Sequence, residues 1–404
     1  MVAPITIGSF GFVTLLLLLV LCAWLTPLRR YFLAAMVAAN VAMLASWLRD
    51  AMDLFALLAF LLPPYLAAKA VWGRGKGVAK AAVFGTILMQ LFMFLVFRHY
   101  PGFDLFTMLG HPVRVIGISY VMFRQIHLLV DAPYSTEPFS AARYFAYLTA
   151  VWTLLAGPIQ RYPDFVEGLQ SVGRPDEADL MAACHRITTG ILKSFAFAPI
   201  FFETANIQGF GGPEEFNILR WLTAFYSYFI FLFLDFSGYT DIVIGAAALC
   251  RFKTIPENFD QPYLSTNVQE FWSRWHISLG TWFRDYFYIP VFRWLGEKTG
   301  WRGYTLLNIA ALFLTFLTVG VWHGPGSNFL AFGILQAVGV GSAVAWRELR
   351  DGLLPAMPGG RGTWRLGSRL LCFHYICGSF LLLDNSIRDV VAYFQSLGAW
   401  IGVT

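Results

Sequence analysis

Apolar runs of about the length needed to cross a bilayer recur along this 404-residue chain, and they constrain its fold more than any other feature. Hydrophobic residues make up 57% of the chain and charged residues only 13%. An ordinary soluble domain has about 25% charged residues, because its surface must be covered by polar groups. Since a spanning helix takes roughly 20 residues, we predict an all-α polytopic membrane protein with about ten or eleven transmembrane helices.

Basic residues between the first runs predict the orientation of the chain. Arg29 and Arg30 follow the first run, and Arg74, Lys76 and Lys80 follow the third. Short loops rich in such residues face the cytoplasm, so we predict a cytoplasmic-membrane protein with its N-terminus on the outside. The net charge of +5 is explained by these loops, and no nucleic-acid partner is expected.

Interrupted runs in the rest of the chain predict irregular elements. Pro63 and Pro64 lie inside the third run and should kink or break its helix. The runs 221–234 and 242–250 flank a polar stretch, and the second run is too short to span. Non-helical backbone at membrane depth is tolerated only where it is buried in protein or lines water. We therefore predict re-entrant and interfacial helices around a cavity near residues 235–290.

The chain reads as one integral membrane domain with three parts. Residues 1–114 hold N-terminal transmembrane helices, 115–345 hold the core, and 346–404 hold a C-terminal pair of helices. The last part begins with 347–365, where prolines and charges predict a loop.

Residues 255–290 mix polar, charged and aromatic residues between apolar runs. A capping box, formed by Thr266 with Gln269 or by Asn267 with Glu270, predicts the start of a helix. This helix should run through His276 and break at Gly280, where Thr281 would cap a second piece.

Two histidines stand out as candidates for chemistry. In a continuous helix Trp272 and His276 would share a face at i and i+4, with Trp275 beside them. His323 ends a strongly apolar run, next to Trp322 and before a Gly-Pro-Gly triplet. Structural alternatives remain open, because an interfacial aromatic belt or a hydrogen-bonded core histidine would give the same patterns.

Charged residues near the predicted cavity have structural interpretations as well. Asp235 is expected to pair with Arg274 or Arg284, and Arg284 stands beside Asp285. Earlier in the chain, a further polar group falls at i, i+3 and i+7 on one helical face, and we interpret it as structural or cavity-lining; its members are Arg124, His127 and Asp131.

Several mechanisms lack their motifs. The chain has no phosphate-binding loop, no H-E-x-x-H zinc helix and no G-x-S-x-G nucleophile elbow. His276 and His323 have no third ligand at metal-like spacing, so we expect neither a metal nor a permanently bound cofactor. The remaining candidate mechanism is chemistry carried out by histidine side chains together with hydrogen bonds.

Six ordered motifs within residues 115–345 resemble the membrane-bound O-acyltransferase (MBOAT) family. They are 117–120, 157–165, 235–241, 256–259, 269–290 and 321–324. The resemblance is to the bacterial branch that modifies cell-envelope polysaccharides, which includes AlgI-like and PatA-like acetyltransferases and DltB-like D-alanyl transfer proteins. It implies the MBOAT fold, with a central funnel or tunnel.

The resemblance also implies roles for single residues. His323 matches the catalytic histidine, and His276 matches a second motif position that orients the acyl carbonyl or donates to the oxyanion. Other residues are implied to line or support the tunnel: Trp322, Trp275, Trp272, Arg274, Arg284, Asp285, Asp235 and Asn258.

The implied reaction moves an acetyl or D-alanyl group from a cytoplasmic thioester to a hydroxyl outside the membrane. The donor would be acyl-CoA or a phosphopantetheinyl carrier protein. The acceptor would be an envelope glycan, reached directly or through an SGNH-type or DltD-like partner. Two alternatives explain the broken helices without transfer chemistry: a transporter or flippase of a polar or lipid-linked substrate, and a non-catalytic acyl-binding scaffold.

Overall fold

The computed structural model describes residues 9–75, 80–103, 117–210, 216–353 and 361–402. Its helices follow in this order: α1 Phe10–Trp24, α2 Thr26–Arg29, α3 Phe32–Ala45, α4 Ala51–Val71, α5 Lys80–Phe97, α6 Ile118–Asp131, α7 Ala141–Leu148, α8 Tyr162–Ser171, α9 Glu177–Ile191, α10 Ala198–Thr204, α11 Ile218–Leu249, α12 Val268–Arg274, α13 Ile277–Phe283, α14 Ile289–Thr299, α15 Tyr304–His323, α16 Ser327–Leu353, α17 Arg361–Phe380 and α18 Ile387–Trp400. Short π-helical turns join α9 to α10 and α13 to α14. This confirms the all-α prediction.

Six described helices are long and apolar enough to cross a membrane, which agrees with the polytopic prediction. Their spans are Ala51–Val71, Lys80–Phe97, Ile218–Leu249, Tyr304–His323, Ser327–Arg347 and Arg365–Leu383. Helices α1 and α3 are apolar but shorter. Two compact units make up the chain: one comprises Met1–Gly190 and Tyr239–Glu257, and the other Ile191–Gly238 and Asn258–Thr404.

In the first unit, helix α4 runs through Pro63 and Pro64 as one helix, so of the predicted kink or break the break does not occur. A proline at position 64 cannot donate a backbone hydrogen bond to the carbonyl of Phe60. The side-chain amides of Gln90 and Gln125 donate to that oxygen instead, at 3.2 and 3.0 Å. Tertiary contacts therefore satisfy the acceptor that the proline leaves open, and the helix continues.

Arg124 is fully buried in the same unit and holds a loop in place. Its guanidinium donates to the carbonyl oxygens of Tyr147 and Leu148 at 3.1 and 3.0 Å. It also donates to those of Thr153 and Pro158, at 3.0 and 3.3 Å. These bonds fasten the chain that leaves α7, so the structural interpretation of Arg124 agrees with the contacts.

Its two companions on the predicted face differ from each other. His127 is buried and its ring contacts the hydroxyl of Tyr147, whereas Asp131 is exposed at the end of α6. The three residues therefore do not form one buried cluster.

The second unit is organised by the pair α15 and α16, which approach closely through two glycines. A Cβ atom added to Gly320 would lie 2.5 Å from the carbonyl oxygen of Phe329 and 3.1 Å from the Cα of Gly333. A Cβ on Gly333 would lie 2.6 Å from the carbonyl oxygen of Phe316. Small residues allow such contact between membrane helices. The crossing positions His323, which ends α15 one turn beyond Gly320.

Two predicted interruptions are wrong. The polar stretch 235–241 does not separate two elements, because α11 is a continuous helix of 32 residues. A single Gly costs only about 1 kcal/mol in a helix, and a helical backbone satisfies its own polar groups. The predicted loop 347–365 is largely helical, because α16 extends to Leu353 and α17 begins at Arg361. Residues 354–360 lie outside the described ranges.

Candidate active site

The chain changes direction at Trp275 and His276, and this turn forms the centre of the candidate site. Helix α12 ends at Arg274, and α13 begins at Ile277. The predicted break at Gly280 is therefore wrong, and Thr281 lies inside α13 instead of capping it. The prediction was right about the start of the first piece, where Asn267 caps α12 by accepting from the N–H of Glu270 at 2.9 Å.

A tertiary contact with the segment around Asn258 explains the early break. Phe259 and Trp275 form an isolated antiparallel bridge. On one side of this bridge, the N–H of Asp260 donates to the carbonyl oxygen of Arg274 at 2.9 Å. On the other side, the N–H of Ile277 donates to the carbonyl oxygen of Asn258 at 3.0 Å. These bonds draw the backbone out of helical geometry, so His276 adopts φ 46° and ψ 52°. A left-handed residue other than Gly costs roughly 1–2 kcal/mol, which the surrounding contacts offset.

Asn258 is fully buried and its side chain holds the turn. Its Oδ1 atom accepts hydrogen bonds from the N–H and Oγ–H of Ser278, at 3.0 and 2.8 Å. The same oxygen lies 3.3 Å from Nδ1 of His276. Because Oδ1 is an acceptor, Nδ1 must carry the proton in the neutral ring, which leaves the lone pair on Nε2.

His276 is only 5% exposed and remains neutral at ordinary pH. Burial is the main cause that lowers the pKa of the His276 imidazole to about 3, and a charge on His323 contributes to this lowering. The ring also meets Phe236 edge to face, with centroids 4.8 Å apart. The two histidines are therefore close enough to interact electrostatically.

His323 is half-buried at the C-terminal end of α15. Its ring lies against Trp322, with centroids 4.6 Å apart, and against Phe332 at 5.4 Å. Gly324 follows with extended backbone, so the helix ends at the histidine. The imidazole is therefore fixed by aromatic packing and not by burial alone.

Aromatic rings connect the surroundings of the two histidines without a gap. From His323 the ring contacts run through Phe332, Phe380, Trp275, Phe259 and Phe236 to His276. Neighbouring centroids along this path are 4.8 to 5.6 Å apart. Such packing makes a rigid apolar wall, which excludes water and strengthens electrostatic interactions at the site.

A cavity of about 440 Å³ lies beside this wall. Helix α15 lines it from Asn308 to Val319, one turn before His323. Trp272 and Ile277 line it on the other side, next to the His276 turn. Its volume falls in the range of about 300–1,000 Å³ that is usual for small-molecule sites. The cavity is therefore large enough for a small-molecule ligand, and its lining includes Ile277, next to His276, and Val319, one turn before His323.

The other predicted site residues separate into two groups. Trp272 and Arg284 line the cavity, while Trp275 is buried in the aromatic wall. Asp285 pairs with Arg284 at 2.8 Å. Arg274 does not line the cavity, because it pairs with Asp260 and Glu270, at 3.3 and 3.1 Å.

The expected pairing of Asp235 with Arg274 or Arg284 is wrong. Both arginines have nearer carboxylates on their own segments. Asp235 is exposed on α11, and its main-chain oxygen accepts from Ser194 at 2.9 Å. Nothing in the described ranges places its side chain at the cavity.

Sequence reasoning missed the polar residues that support the wall from α16 and α17. Gln336 is fully buried, and its Oε1 accepts from the indole N–H of Trp272 at 3.1 Å. Its Nε2 donates to Ser379 at 2.8 Å, and that hydroxyl donates to the carbonyl of Ile376 at 3.1 Å. The sequence did contain a signal for this network, namely a glutamine inside an apolar spanning run. Polar groups within a membrane need hydrogen-bond partners, so such a glutamine predicts a polar contact with a neighbouring helix.

Comparison with known proteins decides the family. The model of the MBOAT, membrane-bound O-acyltransferase family matches residues 35–351, which is most of the chain. The chain belongs to this family. It is therefore an O-acyltransferase and a multi-pass membrane protein, as the motifs predicted.

Two kinds of relatives are similar to this chain. A teichoic acid D-alanyltransferase of Bacillus subtilis is 29% identical over 315 residues, which cover 76% of this chain and 77% of that protein. A probable alginate O-acetylase AlgI of Pseudomonas aeruginosa is 35% identical over 246 residues, which cover 58% of this chain and 45% of that protein. The chain thus spans most of the first relative and less than half of the second.

Proposed function

We propose that this O-acyltransferase moves a short acyl group, acetyl or D-alanyl, from a cytoplasmic thioester to a hydroxyl of an extracytoplasmic polysaccharide or partner protein. The observation that carries the proposal is the position of His323. It ends the helix that lines the 440 Å³ cavity, and its charge influences His276. An imidazole one helical turn beyond the lining of a ligand-sized cavity is suited to activate a hydroxyl.

His323 would act as the general base. It takes the proton of the acceptor hydroxyl while the oxygen attacks the thioester carbonyl, and a tetrahedral oxyanion forms. The intermediate collapses by breaking the carbon–sulfur bond. The thiolate leaves and receives the proton from His323, so one ester and one thiol replace one thioester and one hydroxyl.

His276 would orient the acceptor. With Nδ1–H directed to Asn258, Nε2 offers a lone pair and accepts a hydrogen bond from the hydroxyl, so it does not donate to the oxyanion. Nδ2 of Asn258 is buried and has no hydrogen-bond partner among the described residues. A buried donor of this kind is suited to stabilise the oxyanion.

The cavity would receive the pantetheine arm of the donor, which is acyl-CoA or an acyl carrier protein. Its polar lining suits the amides and hydroxyl of such an arm, and includes Asn308, Thr315 and Tyr288. Arg284, with a side chain 62% exposed, would meet the phosphate at the end of the arm. The donor is a co-substrate, and no permanently bound cofactor is proposed.

Different observations favour the two acyl groups. Among the described residues, those that line the cavity include Arg284 and no carboxylate, which favours the uncharged acetyl group over the ammonium-bearing D-alanyl group. Similarity over most of both chains favours D-alanyl transfer. The partner would differ accordingly, being an SGNH-type protein for acetate or a DltD-like protein for D-alanine.

Purified protein in nanodiscs tests the proposal with two donors, acetyl-CoA and a D-alanyl carrier protein. We expect one donor to acylate an envelope glycan, and His323→Ala to abolish transfer without lowering the melting temperature. Unchanged transfer by His323→Ala would overturn the assignment of the base. Glycan export without transfer would instead support a transporter. Mass spectrometry of envelope glycans from a deletion strain identifies the acyl group and the acceptor.

A further inference from the structure

Three arginines converge on one open pocket in the first unit, away from the histidines in sequence. The pocket has a volume of about 560 Å³ and is lined by Arg29, Arg30 and Arg143. Arg29 is the last residue of α2 and Arg30 follows it, whereas Arg143 lies in the first turn of α7. Positive charges from two distant segments are therefore brought together by the fold.

None of the three arginines forms an ion pair with a described residue. Arg30 lies over the ring of Tyr31, 4.8 Å from its centroid. The guanidinium of Arg29 lies flat against Gly173, because a Cβ atom added there would be 3.2 Å from Cζ and Nη1 and 3.4 Å from Nη2. Gly173 is itself held by its N–H, which donates to the carbonyl of Cys250 at 3.0 Å. Arg29 is thus placed by packing and keeps its hydrogen-bond donors for another group.

Besides the arginines, Thr26 and Gln170, the pocket is lined by an apolar wall. It is formed by Phe32, Leu33, Val166, Leu169 and Val172. Two exposed leucines, Leu25 and Leu28, stand just before the arginines on the same segment. The pocket therefore combines guanidinium groups with an adjoining apolar surface, which matches an anion that carries an apolar chain.

The pocket lies at the end of the unit where the basic loops meet. Phe139, close to Arg143, stacks on Trp72 at 4.1 Å between centroids, and Trp72 precedes Arg74. The segment that precedes Arg143 therefore packs next to the end of α4, which is followed by Arg74, so this end of the unit carries several basic residues. The positive-inside rule assigns such an end to the cytoplasm, where the leaflet carries anionic lipid.

We propose that Arg29, Arg30 and Arg143 form a binding site for the phosphate group of an amphipathic anion. Arginine binds phosphate through charged, bidentate hydrogen bonds. The apolar wall favours the phosphodiester of an anionic phospholipid, and a free phosphate of a soluble thioester donor shares the same chemistry. This site is independent of the acyl-transfer proposal, because it uses none of the residues of the histidine cavity.

Native mass spectrometry of the full-length protein tests the site with dioleoylphosphatidylglycerol, against dioleoylphosphatidylcholine as the neutral lipid. We expect retention of phosphatidylglycerol, and binding weaker by about tenfold or more in the triple variant Arg29→Gln/Arg30→Gln/Arg143→Gln. Arg302→Gln changes an exposed arginine elsewhere and should bind as the wild type does.

Coenzyme A distinguishes the two sources of phosphate. Lipid binding that coenzyme A does not displace identifies a phospholipid site, and displacement identifies a site for the donor's phosphate. Gly173→Leu displaces only Arg29 and should weaken binding to an intermediate degree, which keeps the test valid if the triple variant does not fold. Equal retention of both lipids by the wild type, with coenzyme A binding unaffected by these substitutions, would overturn the proposal.

Discussion

The Oδ1 atom of Asn258 lies 3.3 Å from Nδ1 of His276, and this contact decides which ring nitrogen carries the proton. Oδ1 already accepts from the backbone N–H of Ser278, so it cannot be the donor of the pair. The neutral ring therefore holds its proton on Nδ1 and presents a lone pair on Nε2. A single asparagine thus decides whether His276 accepts or donates towards the substrate.

Asn258→Leu should remove the hydrogen bond that sets the tautomer of His276. Three donors would lose their acceptor in a buried turn, at a cost of about 1–3 kcal/mol each. One of them is Nδ1–H of His276, so that ring would also lose its orientation. We expect the melting temperature to fall and kcat to drop roughly 100-fold. Ser278→Ala is the matched control, since it removes one hydroxyl and leaves the contact of Asn258 with His276. Wild-type kcat in a folded Asn258→Leu protein would contradict this role.

The stability of the protein should fall as the pH is lowered below about 6.5, the ordinary pKa of histidine. Burial lowers the pKa of His276 to about 3 in the folded state, so the unfolded chain binds the proton at higher pH. Between pH 6.5 and pH 5 this linkage should cost about 2 kcal/mol of unfolding free energy. Melting curves of wild type and His276→Gln check it, because the variant should lose this part of the pH dependence. Parallel curves would show that His276 does not cause it.

Gly320→Val should separate α15 from α16. The added Cβ would lie 2.5 Å from the carbonyl oxygen of Phe329, a backbone atom that cannot rotate away. Overpacking of this kind costs about 1–3 kcal/mol and moves His323, so transfer should be lost before folding is. Gly341→Ala on α16 serves as the control, since its Cβ would meet Ile309 at an ordinary 3.4 Å. Thermal unfolding curves and acyl-transfer rates of both variants test whether the close contact of α15 with α16 positions His323.

Val319→Trp should fill the cavity beside His323. Val319 is 4% exposed and lines the cavity, whereas Leu314 on the same helix is 41% exposed and does not line it. We expect kcat/KM for the thioester donor to fall at least about tenfold in Val319→Trp. Leu314→Trp should leave it unchanged. Equal activity of the two variants would exclude this cavity as the donor site.

Arg124→Met should destabilise the first unit strongly. Its four carbonyl acceptors are buried, and each unpaired group costs about 1–3 kcal/mol. Arg124→Lys keeps the charge but has no planar fork to reach all four oxygens, so it should recover only part of the stability. Fluorescence-detected size-exclusion chromatography after heating measures the loss. A melting temperature close to the wild type would show that the loop does not depend on Arg124.

Local sequence patterns identified the elements whose physics is local. Apolar length predicted the spans, as in Tyr304–His323, because the bilayer requires about 20 apolar residues whatever the rest of the chain does. The cap at Asn267 was also predicted, since a capping residue acts on the next turn of its own helix. The two histidines stood out by residue type, and their roles remain a prediction.

Tertiary contacts decided the points where local rules were wrong. Pro64 does not break α4, because Gln90 and Gln125 replace the donor that it lacks at the carbonyl of Phe60. Gly280 does not end α12; the bridge between Phe259 and Trp275 ends it earlier. Arg274 pairs with Asp260 and Glu270, and not with Asp235.

The sequence by itself therefore determined an all-helical membrane acyltransferase and its two candidate histidines, because the length of an apolar span and the residues of a motif are local properties of the chain. Only the tertiary structure decided how His276 is held. Its neutral ring depends on burial, and its left-handed backbone and its tautomer depend on contacts with Asn258. Asn258 is distant enough in sequence that no local rule connects the two residues. A hydrogen bond across a fold requires the packing that brings its partners together, and local sequence rules do not specify that packing.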